Sequence, residues 1–101
     1  MRSITITYEY SGDEVAWRAT IDEFIAALNG DSVAAEKFSY QVAVADNGTT
    51  RIHWGRWDSA DTLAHVQGQE YFKTFAGKVR DFSGGTPLNT GADIVTKTSN
   101  W

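Results

Sequence analysis

No cysteine occurs among the 101 residues, so disulfides, a thiolate nucleophile and sulfur-ligated metals are excluded. The absence fits a cytoplasmic protein. Basic residues are few: nine Lys and Arg stand against thirteen Asp and Glu, for a net charge of −4, and they form no run. Phosphate backbones and anionic lipid surfaces are held by clustered Lys and Arg, so neither nucleic acid nor a membrane is expected as a partner. Long hydrophobic runs are missing too. The longest mostly apolar stretch, Phe24 to Leu28, is far too short to cross a bilayer. The opening residues, MRSITITYEYSGDE, alternate rather than run apolar, a pattern of neither a signal peptide nor a membrane span.

What the chain does have is aromatic rings: four Trp, four Tyr and five Phe. Such residues build cores and interfaces. The length predicts one domain, residues 1–101. A domain of this size buries only about 60–65% of its unfolded surface and gains from a partner.

Residues 2–10 alternate, with Ile4, Ile6, Tyr8 and Tyr10 against Ser3, Thr5, Thr7 and Glu9, which predicts a strand. Asp13 can cap the helix that follows, whose apolar face is Trp17, Ile21, Phe24 and Leu28. Asn29-Gly30 is expected to end it, with Gly30 left-handed. Phe38 to Ala45 alternates again, and Asp46-Asn47-Gly48 reads as a hairpin turn into a strand over about 49–57. Asp58 or Ser59 caps a second helix, interrupted at Gly68, whose later half carries the stripe Phe72, Phe75, Val79 and Phe82. Ser83 to Gly91 reads as a loop and Ala92 to Thr98 as a last strand. The order β-α-β-β-α-β is a ferredoxin-like α+β plan: a four-stranded antiparallel sheet with two helices on one face.

Alternation sorts the strand residues into two sets. One holds Ile4, Ile6, Tyr8, Tyr40, Val42, Val44, Ile52, Trp54 and Ile94; the other holds Thr5, Thr7, Gln41, Ala43, His53, Gly55, Trp57 and Val95. Neither is charged enough for a plain solvent face, and one chain has helices for only one of them. A homodimer with two sheets meeting face to face is therefore expected.

The element order, the strand-end Trp57-Asp58-Ser59, the Ala64-His65 pair in the next helix and the Phe72/Phe75 spacing together resemble the dimeric α+β barrel superfamily, and within it the antibiotic biosynthesis monooxygenase-like domains. The resemblance covers nearly the whole chain in order of elements. It implies a pocket between sheet and helices, reached by Trp57 and by the residue four positions earlier. That residue is His53 here, where polyketide-tailoring oxygenases of this type carry Asn. Gly55 stands where many relatives carry Glu, and Glu70-Tyr71 where a second His often precedes the helix aromatics. In the haem-degrading branch the proximal His falls where this chain has Ala76, so haem degradation is not expected. The resemblance also favours the His53/Trp57 set under the helices, with Thr5, Thr7, Gln41, Gly55 and Tyr71 as substrate contacts. The large apolar set then becomes the dimer interface; the reverse assignment stays open.

Each candidate has two readings. His53 can move a proton near neutral pH, or simply bond a neighbouring strand. His65 is a second acid–base candidate, or a packed helix residue bonded to a carbonyl. Trp57 can offer its indole N–H to a substrate oxygen, or plug the core where strand becomes helix. Tyr8 and Tyr71 are further candidate proton donors. The two His lie twelve residues apart without ligand-spaced carboxylates, so no metal site is expected. The resemblance implies a small-molecule enzyme of the cofactor-independent monooxygenase kind, acting without cofactor on a phenolic or quinone-like substrate. The alternative is a non-catalytic dimeric module that binds a small apolar or aromatic ligand, or a scaffold. Fold alone does not choose between them.

Overall fold

The computed structural model describes residues 1–100. Seven elements follow one another: β1 (Arg2–Glu9), α1 (Glu14–Gly30), β2 (Phe38–Val44), β3 (Thr50–Trp57), α2 (Ala60–Gln67), α3 (Glu70–Phe82) and β4 (Leu88–Asp93). The four strands form one antiparallel sheet in the order β2-β3-β1-β4. The helices cover one face, which makes the fold ferredoxin-like.

Local chemistry sets the boundaries. Asp13 caps α1 by accepting from the Val15 and Ala16 amides, at 2.9 and 3.1 Å, a contribution of about 1 kcal/mol. Ser59 rather than Asp58 caps α2. The chain breaks at Gly68 and Gln69, so the second helical region is two helices. The Ala45 amide bonds the Thr50 carbonyl at 2.9 Å and closes a turn in which Gly48 takes φ +83°, a conformation that glycine reaches without strain.

The core is built from the expected helix faces. Trp17, Ile21, Phe24 and Leu28 of α1 are buried, with Val66 of α2, Phe75 and Val79 of α3, and Tyr8 of β1. Phe24 stacks flat on Phe75, centroids 3.9 Å apart at 4°. Full burial of one such side chain stabilises by about 1.5–3 kcal/mol.

Three expectations need correction. Gly30 is not a left-handed terminator; it is the last residue of α1, and Asp31 at φ −93° is the cap, its amide bonded to the Leu28 carbonyl. The last strand is Leu88–Asp93, not residues 92–98. It is an edge strand with every residue exposed, so its sequence carries no apolar alternation to read. The third correction concerns the faces. Residues directly opposite in an antiparallel pair share a face. His53 stands opposite Ile6 on one side and Val42 on the other; Gly55 stands opposite Ile4 and Tyr40. The helix-covered face therefore combines Ile4, Ile6, Tyr8, Phe38, Tyr40 and Val42 with Arg51, His53, Gly55 and Trp57. The outer face combines Thr5, Thr7, Gln41 and Ala43 with Ile52 and Trp54. The two sets read from the sequence are out of step at β3. Its inward residues include His53, on the side the resemblance favours, and Arg51.

Candidate functional site

His53 is fully buried and bonded through both ring nitrogens. Its Nε2 lies 2.8 Å from the Tyr8 hydroxyl, and its Nδ1 lies 2.7 Å from the Tyr40 hydroxyl. The Trp17 indole N–H donates to the same Tyr8 oxygen at 2.9 Å. Indole nitrogen only donates, so Tyr8 accepts there. The neutral ring has one N–H and one acceptor nitrogen, so it donates to one phenol and accepts from the other. With its proton on Nδ1 it donates to Tyr40, whose own hydrogen then has no acceptor among the described residues. In that tautomer a four-member chain, Trp17 to Tyr8 to His53 to Tyr40, ends on a donor.

Burial controls the titration of every member. It pulls His53 down to about 4, so the ring is neutral at physiological pH. Burial, then the nearby Tyr8, pushes Tyr40 up. Tyr8 is raised by burial as well, with the Trp17 hydrogen bond and the Arg51 charge opposing. Arg51 is itself buried, its guanidinium 4.3 Å from the Trp17 ring, and it is held by the Glu14 carboxylate and by the Tyr10 carbonyl at 2.9 Å. Glu14 raises its pKa, so its charge is fixed.

Beside this chain lies a cleft of about 700 Å³ between the sheet and the helices. Gly55 and Gly91 lie on its sheet side together with Ile4, Ile6, Tyr40 and Trp57, while Phe24, Phe72 and Phe75 line it from the helices. A Cβ on Gly55 would meet Ile4 at 3.4 Å and fill part of that space. Trp57 stacks on Phe38 with centroids 5.6 Å apart, and no group among the described residues accepts from its indole N–H. Trp57 and Gly55 are thus where the sequence suggests. His53 is not a lining residue: it stands behind Tyr40, which is.

The other expected contacts divide. Thr5, Thr7 and Gln41 lie on the outer face and do not line the cleft, because β3 pairs one residue out of step with the sequence-based assignment. His65 and Tyr71 form a separate cluster. His65 Nε2 is 2.8 Å and the Tyr71 hydroxyl 2.7 Å from the same oxygen of Asp31. Burial alone would raise Asp31; the bonds from Tyr71 and His65, with backbone amides of Val33 and Ala34, outweigh it and hold the carboxyl at about 2. The cluster ties the end of α1 to α2 and α3, away from the cleft.

Sequence reasoning missed Tyr40 and Trp17 as partners of His53. Tyr40 turns on the length of the hairpin loop, read from the sequence as three residues and found to be four. A hairpin loop of even length, here residues 46–49, pairs each even-numbered residue of β2 with an odd-numbered residue of β3, which puts Tyr40 and His53 on one face. Trp17 had no such signal, since its approach to Tyr8 depends on how α1 crosses the sheet.

The sequence matches no known protein-family profile and no curated protein. Solved structures do match. Rv0793 from Mycobacterium tuberculosis superposes with a TM-score of 0.78 at 17% identity, covering 97% of this chain and 98% of that one. SnoaB, a cofactor-independent oxygenase from Streptomyces nogalater, gives 0.74 at 12% identity, covering 98% and 97%. A candidate antibiotic biosynthesis monooxygenase from Caulobacter crescentus gives 0.72 at 18% identity, covering 94% and 90%. Identities this low speak for architecture alone. The chain has the ferredoxin-like α+β fold of the antibiotic biosynthesis monooxygenase-like proteins.

Proposed function

We propose that the cleft is the active site of a cofactor-independent monooxygenase acting on a phenolic or quinol-type substrate. The observation that carries this reading is an aromatic cleft with two donor groups on its lining, Trp57 N–H, which no described residue accepts, and Tyr40 O–H, which is free when His53 carries its proton on Nδ1. SnoaB, which shares the fold, is a cofactor-independent oxygenase and supports the same reaction class. The substrate reacts as its phenolate. Tyr40 and Trp57 donate to its oxygens and stabilise the negative charge. One electron passes from the activated ring carbon to dioxygen, and the carbon radical and superoxide join in a carbon–oxygen bond. The peroxide takes up a proton and loses water to leave a carbonyl. Dioxygen is the oxidant; one of its atoms stays in the product and the other leaves in water with the two hydrogens lost from carbon. His53 acts through Tyr40 as a positioning residue rather than as a base, because a ring with a pKa of about 4 holds a proton poorly at neutral pH.

The test is dioxygen uptake with anthrones and hydroquinones. Tyr40→Phe and Trp57→Phe should each lower kcat by about 100-fold, the usual loss of one oxyanion donor. Full activity in Tyr40→Phe would end the proposed role. A second reading has its own support, since none of the shifted groups in the chain from Tyr8 to Tyr40 has a pKa near neutrality. Tight ligand binding without dioxygen uptake would favour a non-catalytic binding module.

The homodimer belongs to the same proposal. The outer face carries Ile52 and Trp54 on the strand next to the sheet centre, and no helix of this chain covers them. A second copy packed there removes them from water. Light scattering at micromolar concentration should give twice the chain mass; a monomer would sink the interface. No described helix is long and apolar enough to cross a membrane.

A further inference from the structure

The cleft is chemically uneven. Of the residues that line it, none is Asp or Glu, in a chain that has thirteen of them, while two are arginines. Arg2 is committed: its Nη1 lies 3.0 Å from Asp93, and both are exposed. Arg80 is different. It follows Phe72 and Ala76 on one stripe of α3, each four residues from the last, so all three face the cleft. No carboxylate among the described residues pairs with its guanidinium.

The chain beyond Arg80 brings polar groups back beside it. Gly84 and Gly85 take φ +78° and +109°, left-handed conformations that reverse the chain after α3. The Gly85 amide bonds the Arg80 carbonyl at 2.8 Å, which fixes the loop on the last turn of the helix. Thr86 follows directly. Asn89 stands opposite Ile6 in the register, which puts it on the helix-covered face. Both line the cleft, and the side chain of neither has a hydrogen-bond partner among the described residues.

We propose that Arg80, Thr86 and Asn89 form an anion-binding end to the cleft, and that the ligand is an aromatic acid: a flat ring system carrying one carboxylate. The rings lie among Phe24, Phe72, Phe75 and Trp57, and the carboxylate accepts from the guanidinium and from the Thr86 and Asn89 side chains. This deepens the active-site reading and rests on the cleft being a ligand site. The bland alternative is that Arg80 only complements the negative end of α3. That alternative affects stability but not ligand choice.

The probes are 2-naphthoate and its neutral isostere 2-naphthamide, titrated calorimetrically into the full chain. Naphthoate should bind at least tenfold tighter, and the preference should shrink as salt rises. Arg80→Gln should bring the two within twofold while leaving naphthamide affinity unchanged. Asn89→Ala, at an exposed position, should lower naphthoate affinity severalfold and naphthamide affinity little. Equal binding of both probes by the wild type, or a preference that survives Arg80→Gln, overturns the anion site and leaves the active-site reading standing. Binding of neither probe overturns the anion site and the ligand cleft together.

Discussion

The two histidines of this chain sit in opposite environments. His53 is sealed between two phenols with no exposed surface, and its pKa has fallen to about 4. His65 keeps 27% of its side-chain exposure and leans on a carboxylate. The sequence presents them as near equals, one on a strand and one on a helix. Their difference teaches that what a histidine can do here is set by its partners and its burial, not by its place in a motif. His53 has neutral partners that hold a neutral ring, so it orients hydrogen bonds. His65 bonds a carboxylate and belongs to a cluster tying three helices together.

The largest effect that can break this comparison is removal of each ring. His53→Leu leaves Tyr8 and Tyr40 facing an apolar side chain, two buried hydroxyls each short of a partner. A loss of roughly 2–6 kcal/mol is expected, at about 1–3 kcal/mol for each orphaned group. His65→Leu leaves Asp31 still bonded to Tyr71 and two amides, and should cost about 1 kcal/mol. Urea unfolding of both variants gives the two numbers, and equal losses would erase the distinction.

Acid sharpens it next. The folded-state pKa of His53 lies below its ordinary value of 6.5, so the unfolded chain binds the proton more readily between those two pH values. Stability is complete above pH 6.5 and falls as the pH drops toward 4. The total loss is roughly 3 kcal/mol, at about 1.4 kcal/mol per pH unit. Asp31 is depressed too, but from 3.8 to about 2, so its contribution is lost only below pH 3.8. Thermal melts from pH 7 to 4 should therefore report His53 in particular. His53→Asn, which keeps polar atoms and titrates nothing, should flatten the curve; an unchanged slope would assign the effect elsewhere.

The smallest effect concerns the carboxylate itself. Tyr71→Phe removes one of the two side-chain bonds to Asp31 and should raise its pKa from about 2 toward the ordinary carboxylate value, at a cost of about 1 kcal/mol. Carbon-detected NMR titration of the Asp31 carboxyl reads this directly. An unmoved Asp31 would mean that His65 and the backbone amides hold it alone.

Much of this architecture was legible from the residues. The strand alternation of β1 and β2, the Asp13 cap, the α1 face from Trp17 to Leu28 and the break at Gly68 all appear where the sequence puts them. They are local: each follows from a period or from the chemistry of one residue. β4 was misplaced because an edge strand with no buried residue has no pattern to show. Of the site, Trp57 and Gly55 were readable from their position at the end of β3, whereas Thr5, Thr7 and Gln41 fell on the wrong face through one error of parity.

By itself, then, the sequence determined the order of the elements, the helix face that makes the core and the exclusion of thiol and sulfur-metal chemistry. Only the tertiary structure decided which residues of β1 and β2 share the inward face with His53, Gly55 and Trp57. Periodicity records how often a side chain returns to a face, but burial of His53 and Arg51 is stable only once Tyr8, Tyr40 and Glu14 arrive from distant parts of the chain to satisfy them. Those meetings, and the cleft beside them, exist only in three dimensions.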